Sequence, residues 1–346
     1  MDNQTDSAIH SFLSPHPYIL YAAEGILFGL TNALIFGTIV REPLLRNKKE
    51  YITVAAAALA DFLNEFGFIA AGIYRVHIIL SGKAQLRSAF DCMLTAHNLC
   101  WSYTMPLAYF MLLCVSIDRY LCVKKPLQYR TWSLQYSFKL IGAFYLLPIP
   151  LAVTGIVVSF QEPSTKLYNA ICLIDDAFAR SNFAYFVLCI QLFCSTSSVL
   201  LYAFIPCVYR RQTKLMRQYA NLADLNQLKT QKKLLVTLGI SSVFTFFLMV
   251  VPGFLRFISV ENHYMLNYEA VPWAGTLMNT NPAVNTFLFI FRHKLFRSSF
   301  CSLITCRQSN YEFRQRTSSG LRYPSLNPIP LGETSLIVRN GDDCNL

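Results

Sequence analysis

The sequence predicts an all-α membrane protein: seven spanning helices in a bundle, followed by a short amphipathic helix. Three observations predict it. Seven apolar blocks stand at about 18–40, 51–75, 89–122, 137–160, 182–208, 233–258 and 267–291. A helix needs about 20 apolar residues to cross roughly 30 Å of hydrocarbon, and each block meets that length. Hydrophobic residues make up 54% of the 346 and charged ones only 14%, against about 25% charged in soluble domains. The basic residues crowd onto alternate connections, which is how membrane orientation is written in a sequence.

Each block is expected to be helical, because a lipid-exposed segment must satisfy its own backbone hydrogen bonds. A β-barrel needs alternating segments of about 10 residues, and these blocks are continuous. The first 17 residues hold Asp2 and Asp6 but no Lys or Arg, so the first block reads as a retained signal-anchor helix. The third block is long for one span and is expected to protrude at one end.

Orientation follows from Lys and Arg. One side collects Arg41, Arg46, Lys48, Lys49, Lys124, Lys125, Arg130, Arg210, Arg211, Lys214, Arg217, Lys229, Lys232 and Lys233. The other holds Arg75, Lys83, Arg87, Lys166, Arg180 and Arg256. This places the N-terminus outside and the C-terminus in the cytoplasm, which requires an odd number of spans. Asn3-Gln4-Thr5 is a glycosylation sequon, useful on an outside segment.

The expected organisation is an outside N-terminus (1–17), the bundle (18–291), an amphipathic membrane-surface helix (292–303) and a disordered cytoplasmic tail (304–346). The surface helix rests on the apolar-basic alternation of Phe291-Arg292-His293-Lys294-Leu295-Phe296-Arg297. Cys301 and Cys306 follow it and are candidate palmitoylation sites. Arg314-Gln315-Arg316-Thr317-Ser318-Ser319 in the tail has the form of a basic-directed kinase site.

Several function classes fall away. The net charge of +11 lies in loops, without zinc-finger spacing or basic helix faces, so no nucleic-acid partner is expected. A transporter predicts internal repeats and matched broken helices, and neither is visible. The six histidines are scattered and no CxxC occurs, so no metal site, cofactor or catalytic cluster is expected.

Polar residues at membrane depth are costly and therefore informative. Asn32 sits in the middle of the first span, Asp61 of the second, and Asn279 and Asn281 precede Pro282 in the seventh. Asn32, Asp61 and Asn281 are expected to form a central polar cluster. The run Ala55–Ala58 suits close helix approach. Glu65 lies one turn beyond Asp61 on the same face. At the inner end of the third span, Asp118 is placed to restrain Arg119, whose long side chain can swing between partners, as a two-state element requires.

Asp118-Arg119-Tyr120, followed by Val123, Pro126-Leu127 and Tyr129, resembles the inner end of the third helix in rhodopsin-like G-protein-coupled receptors. Asn281-Pro282 resembles the family's Asn-Pro-x-x-Tyr motif, and Phe246 with Pro252 its sixth-helix Phe and kink proline. Asn32 and Asp61 resemble its single polar residues in helices one and two. The likeness covers roughly 18–300, and the Tyr- and Phe-rich spans look most like nematode-type serpentine chemoreceptors.

The resemblance implies a receptor, not an enzyme, that binds an extracellular ligand between its helices and activates a heterotrimeric G protein. It implies a chemosensory ligand, a small odorant or pheromone, with a neuropeptide as the alternative and a transporter further off. Plasma-membrane localisation, and an arrestin and a receptor kinase at the tail, are implied too. The family's outer disulfide maps onto Cys92 and Cys172, although Cys92 lies two residues further from Arg119 than the family spacing. His97, Trp101, Met105, Arg256, Phe257, Glu269 and Trp273 are the candidate ligand-pocket residues, with Arg256 facing an acidic ligand or paired with Glu261 or Glu269. Trp101 occupies the position where amine receptors carry Asp, which argues against a biogenic amine. No Lys lies in the seventh span, so a retinal Schiff base is excluded. Asn285 replaces the motif's Tyr, Met249-Val250-Val251-Pro252 lacks the family's Trp, and Ala108 and Leu277 do not suit a sodium site at Asp61.

Overall fold

A computed structural model of the chain describes residues 14–82, 86–163, 167–179, 182–217, 239–261, 266–292, 296–297 and 299–301. Six of its helices are long and apolar enough to cross a membrane: α1 (His16–Arg41), α2 (Lys49–Ser81), α3 (Ala96–Lys124), α4 (Leu134–Gln161), α5 (Asn182–Arg217) and α6 (Gly239–Ile258). A seventh, α7 (Leu266–Arg292), has 27 residues and packs against α1 and α6. Its Asn279, Asn281 and Asn285 lower its hydropathy because they face the interior rather than lipid. The architecture is the expected seven-helix bundle.

The outward surfaces are those of a protein solvated by lipid. Ile26, Leu27 and Leu30 on α1 and Phe138, Leu146 and Phe160 on α4 are exposed. Only 11% of the most apolar window of α4 is buried inside the protein, so this helix lies at the rim. Helices one and two approach closely at Gly72, where an added Cβ would stand 2.6 Å from the Tyr18 carbonyl oxygen and 2.7 Å from the Ala22 nitrogen. With no hydrophobic force between helices in lipid, such small-residue contacts supply the packing.

The third apolar block is not one helix. Ser88 caps a separate turn, Ala89–Met93, by accepting a hydrogen bond from the Asp91 amide at 3.1 Å. The chain then turns at Leu94–Thr95 before α3 begins. The excess length therefore lies across the end of the bundle instead of protruding from it. Two helices outrun their apolar blocks: α2 continues to Ser81 and stops at Gly82, whose φ of 62° ends it in the left-handed region, and α5 continues to Arg217. In α6, Phe246–Val250 forms a π-turn just before Pro252, which cannot donate to the helical ladder.

A two-residue antiparallel ladder, β1 (Arg87–Ser88) with β2 (Leu167–Tyr168), pairs Arg87 with Tyr168 beside the start of α3. From here residues 170–179 run buried across that end of the bundle. Their core includes Tyr18, Tyr21, Phe68, Trp101, Ile171 and Phe178. At the opposite end Ile35, Ile39, Leu45, Tyr51, Ala55 and Ala58 pack with Ile290, Phe296 and Phe300. Phe296 and Phe300 are buried against α1 and α2, so the segment expected on the membrane surface turns these rings onto the bundle.

Candidate functional site

The site is built from three layers along the bundle. The first is the buried loop. Cys92 and Cys172 form a disulfide, the pairing the resemblance implied. A buried loop must satisfy its backbone, and side chains of α2 and α3 do this here, among them Tyr74, whose hydroxyl donates to the Ala170 carbonyl at 2.9 Å. Arg75 donates from Nε to the Ile171 carbonyl and from Nη2 to the Cys172 carbonyl, both at 3.0 Å. Asn98 Nδ2 donates to the Cys172 carbonyl at 3.0 Å and the Cys92 carbonyl at 2.9 Å. His97 Nε2 donates to the Cys172 carbonyl at 3.2 Å. The Arg75 guanidinium also stacks among the rings of Tyr18, Tyr21 and Trp101. Counting Arg75 only as a loop charge missed this role. Its signal was a cation following an aromatic-rich stretch, too common to single out.

The second layer is a cavity of about 190 Å³. Asn32, Asp61 and Asn281, expected as one cluster, all line it, although no hydrogen bond joins any two of them among the described residues. The Asn32 amide nitrogen is buried without a partner. Asn281 accepts from Thr245 Oγ1 at 3.0 Å and donates to the Met249 sulfur at 3.0 Å. Asn279 donates to Glu65 Oε2 at 3.0 Å across the α2–α7 contact. Asn285 accepts from the Ser241 hydroxyl, so the residue standing where the family has Tyr ties α7 to α6. Pro282 lies beside it on the cavity wall.

The third layer is the Arg119 end. Arg119 Nη2 meets Asp118 Oδ2 at 2.7 Å and donates to Thr53 Oγ1 at 3.3 Å, and both members of the ion pair are buried. Tyr129 donates to Asp118 Oδ1 at 3.0 Å, and burial pushes its phenol above the usual range, so it stays a donor. Lys49 in turn donates to the Tyr129 carbonyl and, at 2.6 Å, to the Trp132 carbonyl. Tyr120 packs with Val123, Tyr202 and Ile205. Asp118 and Arg119 meet as a buried ion pair, while Thr53 and Lys49 were not legible in the sequence because their contacts are 65 or more residues distant.

The remaining pocket candidates scatter. Met105 and Arg256 line the cavity. Arg256 Nη2 pairs with Asp175 Oδ1 at 2.7 Å, a partner not among those expected, because the buried loop brings Asp175 beneath α6; the side chains of Glu261 and Glu269 lie outside the described residues. Trp101 borders a small side pocket with Ile174 and Phe178, and its indole lies against Gly67. His97 is consumed by the loop carbonyl and packs on Tyr74 and Trp101 rather than lining the cavity. Phe257 is half-buried and meets Tyr185 edge to face at 6.2 Å. Trp273 is turned outward, 49% exposed. Phe246 also faces outward, against Phe247, because the π-turn that starts at it resets the register of α6. Pro252 is buried. Cys301 is half-buried; Asn3, Cys306 and the side chain of Glu269 lie outside the described residues.

Comparison with known proteins agrees with this arrangement. Residues 31–306 match the family model of the 7 transmembrane receptor (rhodopsin family). Trace amine-associated receptor 7f of Mus musculus is 25% identical over 329 residues, covering 88% of this chain and 87% of its own length. Trace amine-associated receptor 9 is 25% identical in Rattus norvegicus, with 88% and 92% covered, and 25% identical in Homo sapiens, with 85% and 87% covered. With the family model spanning the buried loop, the cavity and the Arg119 layer alike, the chain belongs to the rhodopsin family of seven-transmembrane receptors and is a receptor, not an enzyme.

Proposed function

We propose that this receptor sits in the plasma membrane with its N-terminus outside, binds a small chemosensory molecule in the cavity beneath the buried loop, and activates a heterotrimeric G protein at the Arg119 end. The observation that carries this reading is the clasp of Asp118, Thr53 and Tyr129 around Arg119, on the far side of the cavity from the disulfide. Arg119 held by one set of partners and released to another is the two-state element that ligand binding would bias. The basic end of α5, with Arg210, Arg211 and Lys214, adds a positive rim there.

Ligand size favours a small molecule over the neuropeptide alternative. Pockets for drug-sized ligands run to about 300–1,000 Å³, and the cavity of about 190 Å³ is smaller still. Met105, Arg256, Asp61, Asn32 and Asn281 serve as its wall; Asn281, Pro282, Asn285 and Pro252 belong to the moving joint between α6 and α7. Phosphorylation of the tail, with a receptor kinase and arrestin as readers, and palmitate on Cys301 complete the reading.

The test is expression with a promiscuous G protein, a screen of small volatile and water-soluble compounds, and comparison of wild type with Arg119→Ala. Ligand-driven signalling is expected in wild type and lost in the variant. Signalling that persists at full strength without Arg119 sinks the mechanism.

A further inference from the structure

We infer that Lys49 is a positioning residue for G-protein activation. It holds the short helix Pro126–Thr131 against α2 so that the Tyr129 hydroxyl stays on Asp118, and it acts through that hydroxyl alone. The inference rests on the receptor reading above and adds a regulator to its Arg119 layer.

The helix that presents Tyr129 has six residues, too few to hold a helical shape unaided. Its last carbonyls lack partners within the helix and must find them elsewhere. The Gln128 carbonyl accepts from the Thr131 hydroxyl at 2.8 Å and from the Trp132 amide at 3.2 Å. The Tyr129 and Trp132 carbonyls both accept from Lys49 Nζ, the second at 2.6 Å. The same ammonium stands 4.6 Å from the centre of the Tyr129 ring. One lysine therefore caps the end of the helix and fixes the ring whose hydroxyl reaches Asp118 Oδ1 at 3.0 Å.

Lys49 is not placed like a lysine that only sets membrane orientation. Such a residue keeps its charge in water. Lys48 and Lys125 are exposed in that way, whereas Lys49 is half-buried with its ammonium folded onto carbonyls. Thr53, one turn along the same face of α2, lies 3.3 Å from both Asp118 Oδ2 and Arg119 Nη2. The second helix thus grips the ion pair twice, directly through Thr53 and, from Lys49, by way of Tyr129. Tyr129 lies 11 residues past Asp118, beyond the end of α3 at Lys124, so α3 itself does not return it to the pair. The docking of the short helix on α2 does.

The experiment uses the full chain purified in lipid nanodiscs with a promiscuous heterotrimeric G protein, and reads ligand-free nucleotide exchange per receptor. Lys49→Met is expected to raise it about fivefold, the ratio set by one net hydrogen bond, and Tyr129→Phe by a similar factor. The double variant is expected to rise no further than either single one. Lys49→Arg, which keeps the charge and offers several N–H donors to the same carbonyls, is expected to match wild type. Lys49→Gln, whose amide still donates, is expected to rise less in the same direction, and it keeps the test decisive if Lys49→Met fails to fold. A lysine with a merely structural role adds its effect in either background. A double variant equal to the product of the two singles therefore overturns the proposal, as does a Lys49→Arg receptor that behaves like Lys49→Met. Exchange that responds to Asp118→Asn but to neither Lys49→Met nor Lys49→Gln overturns this proposal and leaves the receptor reading standing. No exchange with any receptor, Asp118→Asn included, overturns both.

Discussion

Arg256 on α6 reaches under the buried loop to Asp175, and the two side chains meet at 2.7 Å with both nearly out of solvent. This one pair fastens the segment that closes the bundle to the helix containing the π-turn. Removing either partner strands a buried charge, which in other proteins costs about 3–5 kcal/mol. Asp175→Ala is therefore expected to lower the thermal midpoint of the purified receptor by several degrees. The exchange of the two residues, Asp175→Arg with Arg256→Asp, should restore part of the loss. An unchanged midpoint in Asp175→Ala would show that the pair does not hold the loop.

Asp118 restrains Arg119 through a charge-assisted contact, worth about 1.5–3 kcal/mol. Asp118→Asn should weaken it and raise ligand-free signalling about tenfold, measured as basal G-protein activation per receptor at the cell surface. Tyr129→Phe removes only the flanking hydrogen bond and is expected to give a smaller rise. Equal basal activity in all three receptors would contradict the restraint.

The disulfide closes a loop of 80 residues. Chain entropy alone assigns such a closure about 4.5 kcal/mol. Arg75, Asn98 and His97 hold the same carbonyls independently, so the measured effect should be smaller. Cys172→Ala is expected to lower the midpoint, and the double variant Cys172→Ala with Arg75→Ala is expected to lose more than the two single losses combined. Strict additivity would show that the two fastenings do not support one another.

Two glycines give a paired test of helix packing. An added Cβ at Gly72 meets backbone atoms of Tyr18 and Ala22, and backbone cannot swing aside. Gly72→Ala is expected to cost about 1–3 kcal/mol by forcing α1 from α2. Gly142 on α4 has nothing within 4 Å of the same position, so Gly142→Ala should be neutral or stabilise by up to about 1 kcal/mol. Thermal midpoints of both variants decide it; equal losses would mean that the α1–α2 contact is loose.

The sequence by itself determined the class of protein and its long elements. Hydrocarbon thickness and the need to satisfy every backbone group leave a run of some twenty apolar residues one option, so the spans were legible wherever such runs occur. It also marked Asn32, Asp61, Asp118, Arg119 and Asn281, because polar groups at membrane depth are rare enough to stand out. Only the tertiary structure decided what meets what. Asp175, 81 positions from Arg256, became its ion-pair partner, and Arg75 became the loop's main fastening. The break at Thr95 and the π-turn at Phe246 also escaped the sequence. Each changes which way a side chain faces without changing composition or apolar periodicity. Trp273 and Phe246 turned out to lipid for the related reason that, in a membrane, an aromatic ring is as well solvated outside the bundle as within it.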